Sequence, residues 1–383
     1  MYYFYMNNEQ LILLKLIRQS QFGPSEAICF DDVNIVALYD EAVQQSVQGL
    51  VSPEIPKAFS NRKWYQAQYR RKASYLLYCT AQDELKKVLD DAGIPFVILK
   101  GNASAVSYKT PYLRSMGDID FLVPPDQYKK TQALLFSNGY IAGYDNGRHA
   151  QFKKGNQLFE IHHHNSHDID IEDYLTAGML KPDIISIDGH TFPILPKLAN
   201  GLVLLDHFRS HLQSAVGLRH VIDWMMYVYR NLDDEFWFNE FALVAKKLGM
   251  DTLAIILTRM CQIYLGLPET ITWCKDANKL TCEQLMNIIL KSGNFGRKNF
   301  KGNNFEVVNI RMKKMGLFQS LQYAGKHNWK AYHKHHWLKP FCWFYQICRY
   351  IKQGFKSGRN KEQFKDDFKR SNERYELLKK LGI

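Results

Sequence analysis

A chain of 383 residues, 46% hydrophobic and 23% charged, exceeds the size of one ordinary domain and is apolar enough to build real cores, which excludes a disordered tail and implies two or three packed units. Its apolar runs, at residues 202–205 and 337–347, are cut short by polar or charged side chains before the roughly 18 residues that span a bilayer, and the first 22 residues carry neither a basic leader nor a small-residue cleavage site, so a soluble cytoplasmic protein is expected. The formal charge of +12 is concentrated at one end: from Lys291 onward 22 Lys and Arg stand against 6 Asp and Glu, which leaves the first 290 residues slightly acidic.

Taken in chain order, residues 9–19, 31–48 and 62–89 show apolar positions three and four apart, the signature of helices, with Gly49 and Pro53 as punctuation. From Gly93 the pattern changes to short β-rich runs alternating with helix. Residues 94–99 and 118–123 read as strands. Residues 148–153 and 157–163 read as a hairpin around Gly155-Asn156, and residues 184–195 as another around Asp188-Gly189. Helices are expected at residues 102–108 and 126–137, the second stopped by Asn138-Gly139. After Pro196, helical periodicity returns at residues 197–213, 218–229, 234–248 and 251–265, and only residues 306–310 resemble a further strand. The expected class is α+β, an α/β-type core with a mixed sheet and flanking helices. Its parts would be an N-terminal helical region (1–91), a catalytic core (92–196) and a C-terminal helical domain with a basic tail (197–383). The seven scattered cysteines have no CxxC pair and suit a reducing compartment, where they act as small apolar residues.

One stretch carries chemistry. In a strand at residues 118–123, Asp118 and Asp120 point to one face while Ile119, Phe121 and Val123 point to the other and can be buried. Two adjacent carboxylates are costly without a cation between them, and such a hard oxygen site suits magnesium completed by water and phosphate. A DxD alone is more often the exposed face of an edge strand. What raises the functional reading is the preceding strand, which ends in Lys100-Gly101 and opens onto a helix, a turn where backbone N–H groups can approach phosphate. Lys100 and Arg114 add cations nearby.

This order of strand, glycine turn, helix and DxD strand resembles the DNA polymerase beta nucleotidyltransferase superfamily. More narrowly, "LKGNASAVSYKTPYLRSMGDIDFLV", followed by "FEIHHH" and "HFRSHLQSAVGLRHVIDW", resembles a bacterial family of largely uncharacterised nucleotidyltransferases over roughly residues 93–229. The resemblance implies transfer of a nucleoside monophosphate from a triphosphate such as ATP to an unidentified acceptor, with magnesium, or manganese in its place, as cofactor. It also implies that Asp118 and Asp120 ligate the metals, that Gly101 lies against the phosphates, and that a third carboxylate comes from a neighbouring strand, for which Glu160 is the candidate. Lys100, Gly101, Asn102, Arg114, His162 and His211 are the expected nucleotide contacts. Where the superfamily has Gly-Ser after its first strand, this chain has Gly101-Asn102, which shifts phosphate positioning to Lys100 and the backbone.

Other features compete. Asp168-Ile169-Asp170 is a second DxD, but Glu172-Asp173 follows it, as in a solvated loop or the acidic start of a helix. His162-His163-His164, with His167 behind, suggests zinc, yet strand alternation separates His163 from its neighbours, and a polar strand face beside the active site is the plainer reading. His207 and His211 share a helical face without the glutamate a zinc protease needs beside the first histidine. His211, Arg219 and Asp223 either close the site or make ordinary interhelical hydrogen bonds. The basic, aromatic C-terminal segment suits nucleic acid or an anionic surface as well as an ordinary solvated helix. The alternative to an enzyme is a catalytically silent member of the same fold that binds nucleotide, nucleic acid or a membrane surface.

Overall fold

The computed structural model describes residues 6–24, 27–147, 149–166, 169–213, 215–294, 298, 305–357 and 361–383. Arg148, His167 and Asp168 lie outside the described residues.

Helices α1 (Asn8–Phe22), α2 (Ile35–Gln44), α3 (Gln48–Val51) and α4 (Arg62–Asp91) come first. A capping box of Asn7 and Gln10 starts α1, and Gly23, at φ +89°, ends it. The single helix expected at residues 31–48 is instead two, because Asn34 caps α2 only at Val36 and Ala37 and Ser46, at φ +58°, breaks the chain before α3. Helix α4 is 30 residues long, about 45 Å at 1.5 Å per residue. It buries Tyr75, Tyr78, Cys79, Gln82, Leu85 and Leu89, a stripe at helical spacing.

The sheet follows: β1 (Val97–Leu99), α5 (Gly101–Ala105), β2 (Ile119–Leu122), α6 (Tyr128–Ser137), β3 (Ile141–Asp145), β4 (His149–Lys154), β5 (Gln157–His162), α7 (Ile169–Leu180), β6 (Asp183–Ile187) and β7 (His190–Ile194). Seven strands run in the order β3-β4-β5-β2-β1-β7-β6, mixed because β2 pairs parallel with β5 and β1 parallel with β7 while the other pairs are antiparallel. The β6–β7 turn sits at Asp188 and Gly189, both at positive φ, as a two-residue hairpin requires. Strand β3 has no counterpart in the sequence reading: all five of its residues are exposed, so no apolar alternation marks it.

The remaining elements are helical: α8 (Lys197–Leu212), α9 (Leu218–Asn231), α10 (Asp234–Phe236), a π-helical turn (Trp237–Phe241), α11 (Ala242–Lys247), α12 (Asp251–Leu265), α13 (Lys279–Ser292), α14 (Phe305–Met315), α15 (Leu317–Asn328), α16 (Lys330–Lys334), α17 (Cys342–Ser357) and α18 (Lys361–Lys380). The strand expected at residues 306–310 is the first half of α14. Its Val-Val and Ile have the β-branched look of a strand, but burial falls on Glu306, Asn309 and Ile310, three and four apart, and Glu306 pairs with Arg370 and Arg374 of α18. No helix among the described residues is long and apolar enough to cross a membrane.

Two cores hold these layers. One joins α1–α3 to the helices after Pro196 through Leu13, Leu16, Trp224, Leu257 and Leu378. The other lies under the sheet, where Phe121, Phe159 and Ile161 meet Tyr78 and Leu85 of α4. Phe121 is 0% exposed, and burying a side chain of its size contributes about 1.5–3 kcal/mol. Strand β2 is thereby pinned from below at the level where Asp120 faces the other way.

Candidate active site

Strand pairing assembles the acidic group. Asp120 lies beside Leu99 of β1 on one side and Glu160 of β5 on the other, so the central three strands bring the carboxylate of one strand against that of its neighbour. Asp118, just before β2, is half-buried and its carbonyl accepts from the Tyr78 hydroxyl at 3.1 Å. Asp118, Asp120 and Glu160 line one polar cleft with Lys100, Gly101, Arg114, Gly117, His207, His211, Arg219 and Asp223. Burial and the charges of Asp120 and Glu160 push the Asp118 carboxyl up to about 6. Burial acts on Asp120 in the same direction, but the Lys100 ammonium 3.5 Å away and the His162 ring nitrogen 2.9 Å away outweigh it and hold that carboxyl well below its ordinary range. Glu160 accepts from the Gln151 side-chain amide at 2.6 Å and stands 3.7 Å from His162. Asp120, Glu160 and His162 each present a ligand atom within 4.8 Å of the others. Hard carboxylate oxygens whose mutual repulsion already raises one of their number fit a divalent cation of the magnesium class.

The turn opposite is strained. Lys100 adopts φ +50°, ψ −127°, a conformation a non-glycine residue holds only when its surroundings force it. Gly101 follows at φ +34°, and a Cβ there would lie 2.0 Å from the Tyr78 hydroxyl. The close approach that the sequence ascribed to phosphate is therefore also required by α4. Helix α5 after it has five residues, shorter than the expected 102–108.

The other sequence candidates separate by what each side chain meets. Arg114 lies in the cleft lining, but its guanidinium is clamped by Asp223 of α9 through two contacts of 2.7 Å, and Tyr108 donates to the same carboxylate at 2.7 Å. Burial opposes the charge on Arg114 while Asp223 raises its pKa by more. Asn102 is fully buried and turned away: its amide donates to Gln82 at 3.2 Å and toward the Cys79 sulfur, which leaves only its backbone near the turn. The three consecutive histidines diverge, His162 to Asp120, His163 to the Gly147 carbonyl at 2.7 Å, and His164 toward Glu172 at 3.7 Å. Asp170 and Glu172 of the second DxD segment lie in the first turn of α7.

Two participants had no clear signal in the sequence. Tyr78 reaches the site from α4, 40 residues before the Asp118 carbonyl it binds. His220, on α9, packs its ring 5.2 Å from His207 and 5.0 Å from His211, which are themselves 4.4 Å apart. All three imidazoles are held below the usual histidine pKa, first by burial and then by surrounding cations, with His211 pushed down to about 4.

Among solved structures, the chain is similar to ANT(2")-Ia in complex with adenylyl-2"-tobramycin, at 13% identity and a TM-score of 0.33, over 45% of this chain and 99% of that one. A solution structure of the antibiotic-resistance factor ANT(2'')-Ia gives 12% identity and 0.33 over 45% and 94%. An antigenic nucleotidyltransferase-like protein from Paracoccidioides brasiliensis gives 14% and 0.30 over 53% and 96%. No curated protein sequence matches the chain. The sequence pattern of the family described as "Uncharacterised nucleotidyltransferase" matches residues 31–266, more than half of the chain and all of the cleft. The chain belongs to this family of nucleotidyltransferases.

Proposed function

We propose that the protein transfers a nucleoside monophosphate from a nucleoside triphosphate, of which ATP is the first to test, to an acceptor whose identity is open, with magnesium held by Asp118, Asp120 and Glu160 and manganese able to replace it. The observation that carries this reading is the cleft that Asp120 and Glu160 of neighbouring strands, with Asp118 just before β2, share with the Lys100–Gly101 turn. When bound, the ion supplies charge neutralisation at the reacting phosphate. The chain's own groups do the positioning. Tyr78 fixes the Asp118 backbone, Gln151 orients Glu160, and His162 holds Asp120 in place. Lys100, together with the Gly101 backbone, is poised for the triphosphate, which would draw the ammonium from Asp120. Arg219 and His211 close the cleft from the helical side, and Arg114 acts through Asp223 as the strut between the two halves. The acceptor oxygen then bonds to the α-phosphorus in line as the bond to pyrophosphate breaks.

The seven free cysteines suit a cytoplasmic setting. The exposed aromatic side chains of the strongly basic C-terminal region, Phe318, Trp337 and Phe344 among them, are what we assign to an anionic partner such as nucleic acid or an acidic surface. The test of the central reading is incubation with each labelled ribonucleoside triphosphate and magnesium, comparing wild type with an Asp118→Asn, Asp120→Asn double variant. Pyrophosphate release that vanishes in the variant supports transfer. Triphosphate binding without release by the wild type would instead favour a silent binding module.

A further inference from the structure

The geometry points to a second metal site on the helical side of the cleft, in which His207, His211 and His220 bind one divalent ion of the zinc class through three imidazole nitrogens, separately from the carboxylates. His207 and His211 are four apart on α8 and so share a face, and α9 returns alongside to place the buried His220 against them. One nitrogen from each ring lies within 4.8 Å of the other two. Tetrahedral zinc with bonds of about 2.0–2.1 Å needs nitrogens about 3.3 Å apart, a closure that small side-chain rotations supply. The intervening Phe208-Arg209-Ser210 excludes a zinc-protease helix, but not a site whose third ligand comes from the next helix.

Donor chemistry separates this site from its neighbour. Three imidazoles suit zinc, whereas magnesium takes hard oxygens and goes to Asp118, Asp120 and Glu160. The cleft lining as a whole is not cationic, since Asp118, Asp120, Glu160 and Asp223 stand against Lys100, Arg114 and Arg219. Arg219 approaches His220 Nε2 at 3.4 Å and would yield to an ion there, toward the Asp223 and Asp118 charges that already act on it. His207 and His211 line the cleft while His220 lies behind them. Three protein ligands and one open position facing the cleft is the arrangement of a zinc site able to take an oxygen ligand.

The test uses the full chain without any added histidine tag, loaded with zinc, freed of excess by dialysis and assayed for bound metal and for affinity by competition with a chelator. One equivalent of zinc is expected in the wild type and in the Asp118→Asn, Asp120→Asn double variant. In His207→Gln and in His211→Gln, the affinity is expected to fall at least about 100-fold, since loss of even an outer partner of a metal ligand costs 10–100-fold. Absence of bound zinc in the wild type, wild-type affinity in both histidine variants, or loss of zinc in the aspartate variant would each overturn the proposal. Should the histidine variants not fold, cobalt(II) added to the wild type decides: strong visible absorption from a four-coordinate nitrogen site supports the triad, and its absence refutes it. None of these readings depends on nucleotidyl transfer.

Discussion

Asp223→Asn offers the sharpest test of how the helical layer is joined to the acidic strand. The Arg114 and Asp223 side chains are 4% and 8% exposed, and two contacts of 2.7 Å plus the Tyr108 hydroxyl satisfy the carboxylate. The amide keeps the shape but removes the charge, so a guanidinium stays buried with no counterion, which costs about 3–5 kcal/mol. Replacing both partners, as Arg114→Met with Asp223→Leu, removes the stranded charge and is expected to cost less than either polar deletion alone. Urea unfolding followed by near-ultraviolet circular dichroism, to which buried Trp224 beside Asp223 contributes, measures the four corners of the cycle. Because Arg114 stands four residues before Asp118, transfer should also fall, by about 100-fold for a displacement near 1 Å. A single-variant loss under about 1 kcal/mol, or strict additivity of the two substitutions, would refute the strut.

Four further expectations are independent of this one. Asp120→Asn should leave the circular dichroism spectrum unchanged and abolish pyrophosphate release; retained turnover would remove Asp120 from the metal site. Gly101→Ala puts a Cβ onto the Tyr78 hydroxyl, and a loss of about 1–3 kcal/mol is expected, partly recovered by adding Tyr78→Phe. Lys100→Gly relieves a positive φ worth about 1 kcal/mol, so the unfolding midpoint should hold or rise while transfer drops; a lower midpoint together with full activity would contradict both roles. The Asp234 carboxyl accepts from the Thr272 amide at 2.7 Å, and although burial acts the other way, these hydrogen bonds lower its pKa. A lowered carboxylate contributes stability above its unfolded value and loses it as pH falls through the folded one, so the stability gap between wild type and Asp234→Asn should shrink below about pH 4.

How much of this was legible beforehand depends on range. The DxD, the Lys100-Gly101 turn, the Asp188-Gly189 hairpin and the α8 and α9 helices were readable because each is written in the spacing of a few neighbouring residues. Strand β3 was not, since an edge strand with every residue exposed has no alternation. The strand expected at residues 306–310 turned into α14 because β propensity yielded to a burial pattern set by α18.

The sequence by itself determined the element types and the face on which Asp118 and Asp120 stand, because backbone geometry alone imposes periods of 2 and 3.6. Only the tertiary structure decided what those side chains meet: Arg114 bound to Asp223 across 109 residues, Lys100 resting on Asp120, Asn102 turned toward Gln82, and His220 joined to His207 and His211. A buried charge or amide must find its partner among whatever groups packing brings within about 3 Å, and that neighbourhood exists only once the sheet and helices have closed on one another.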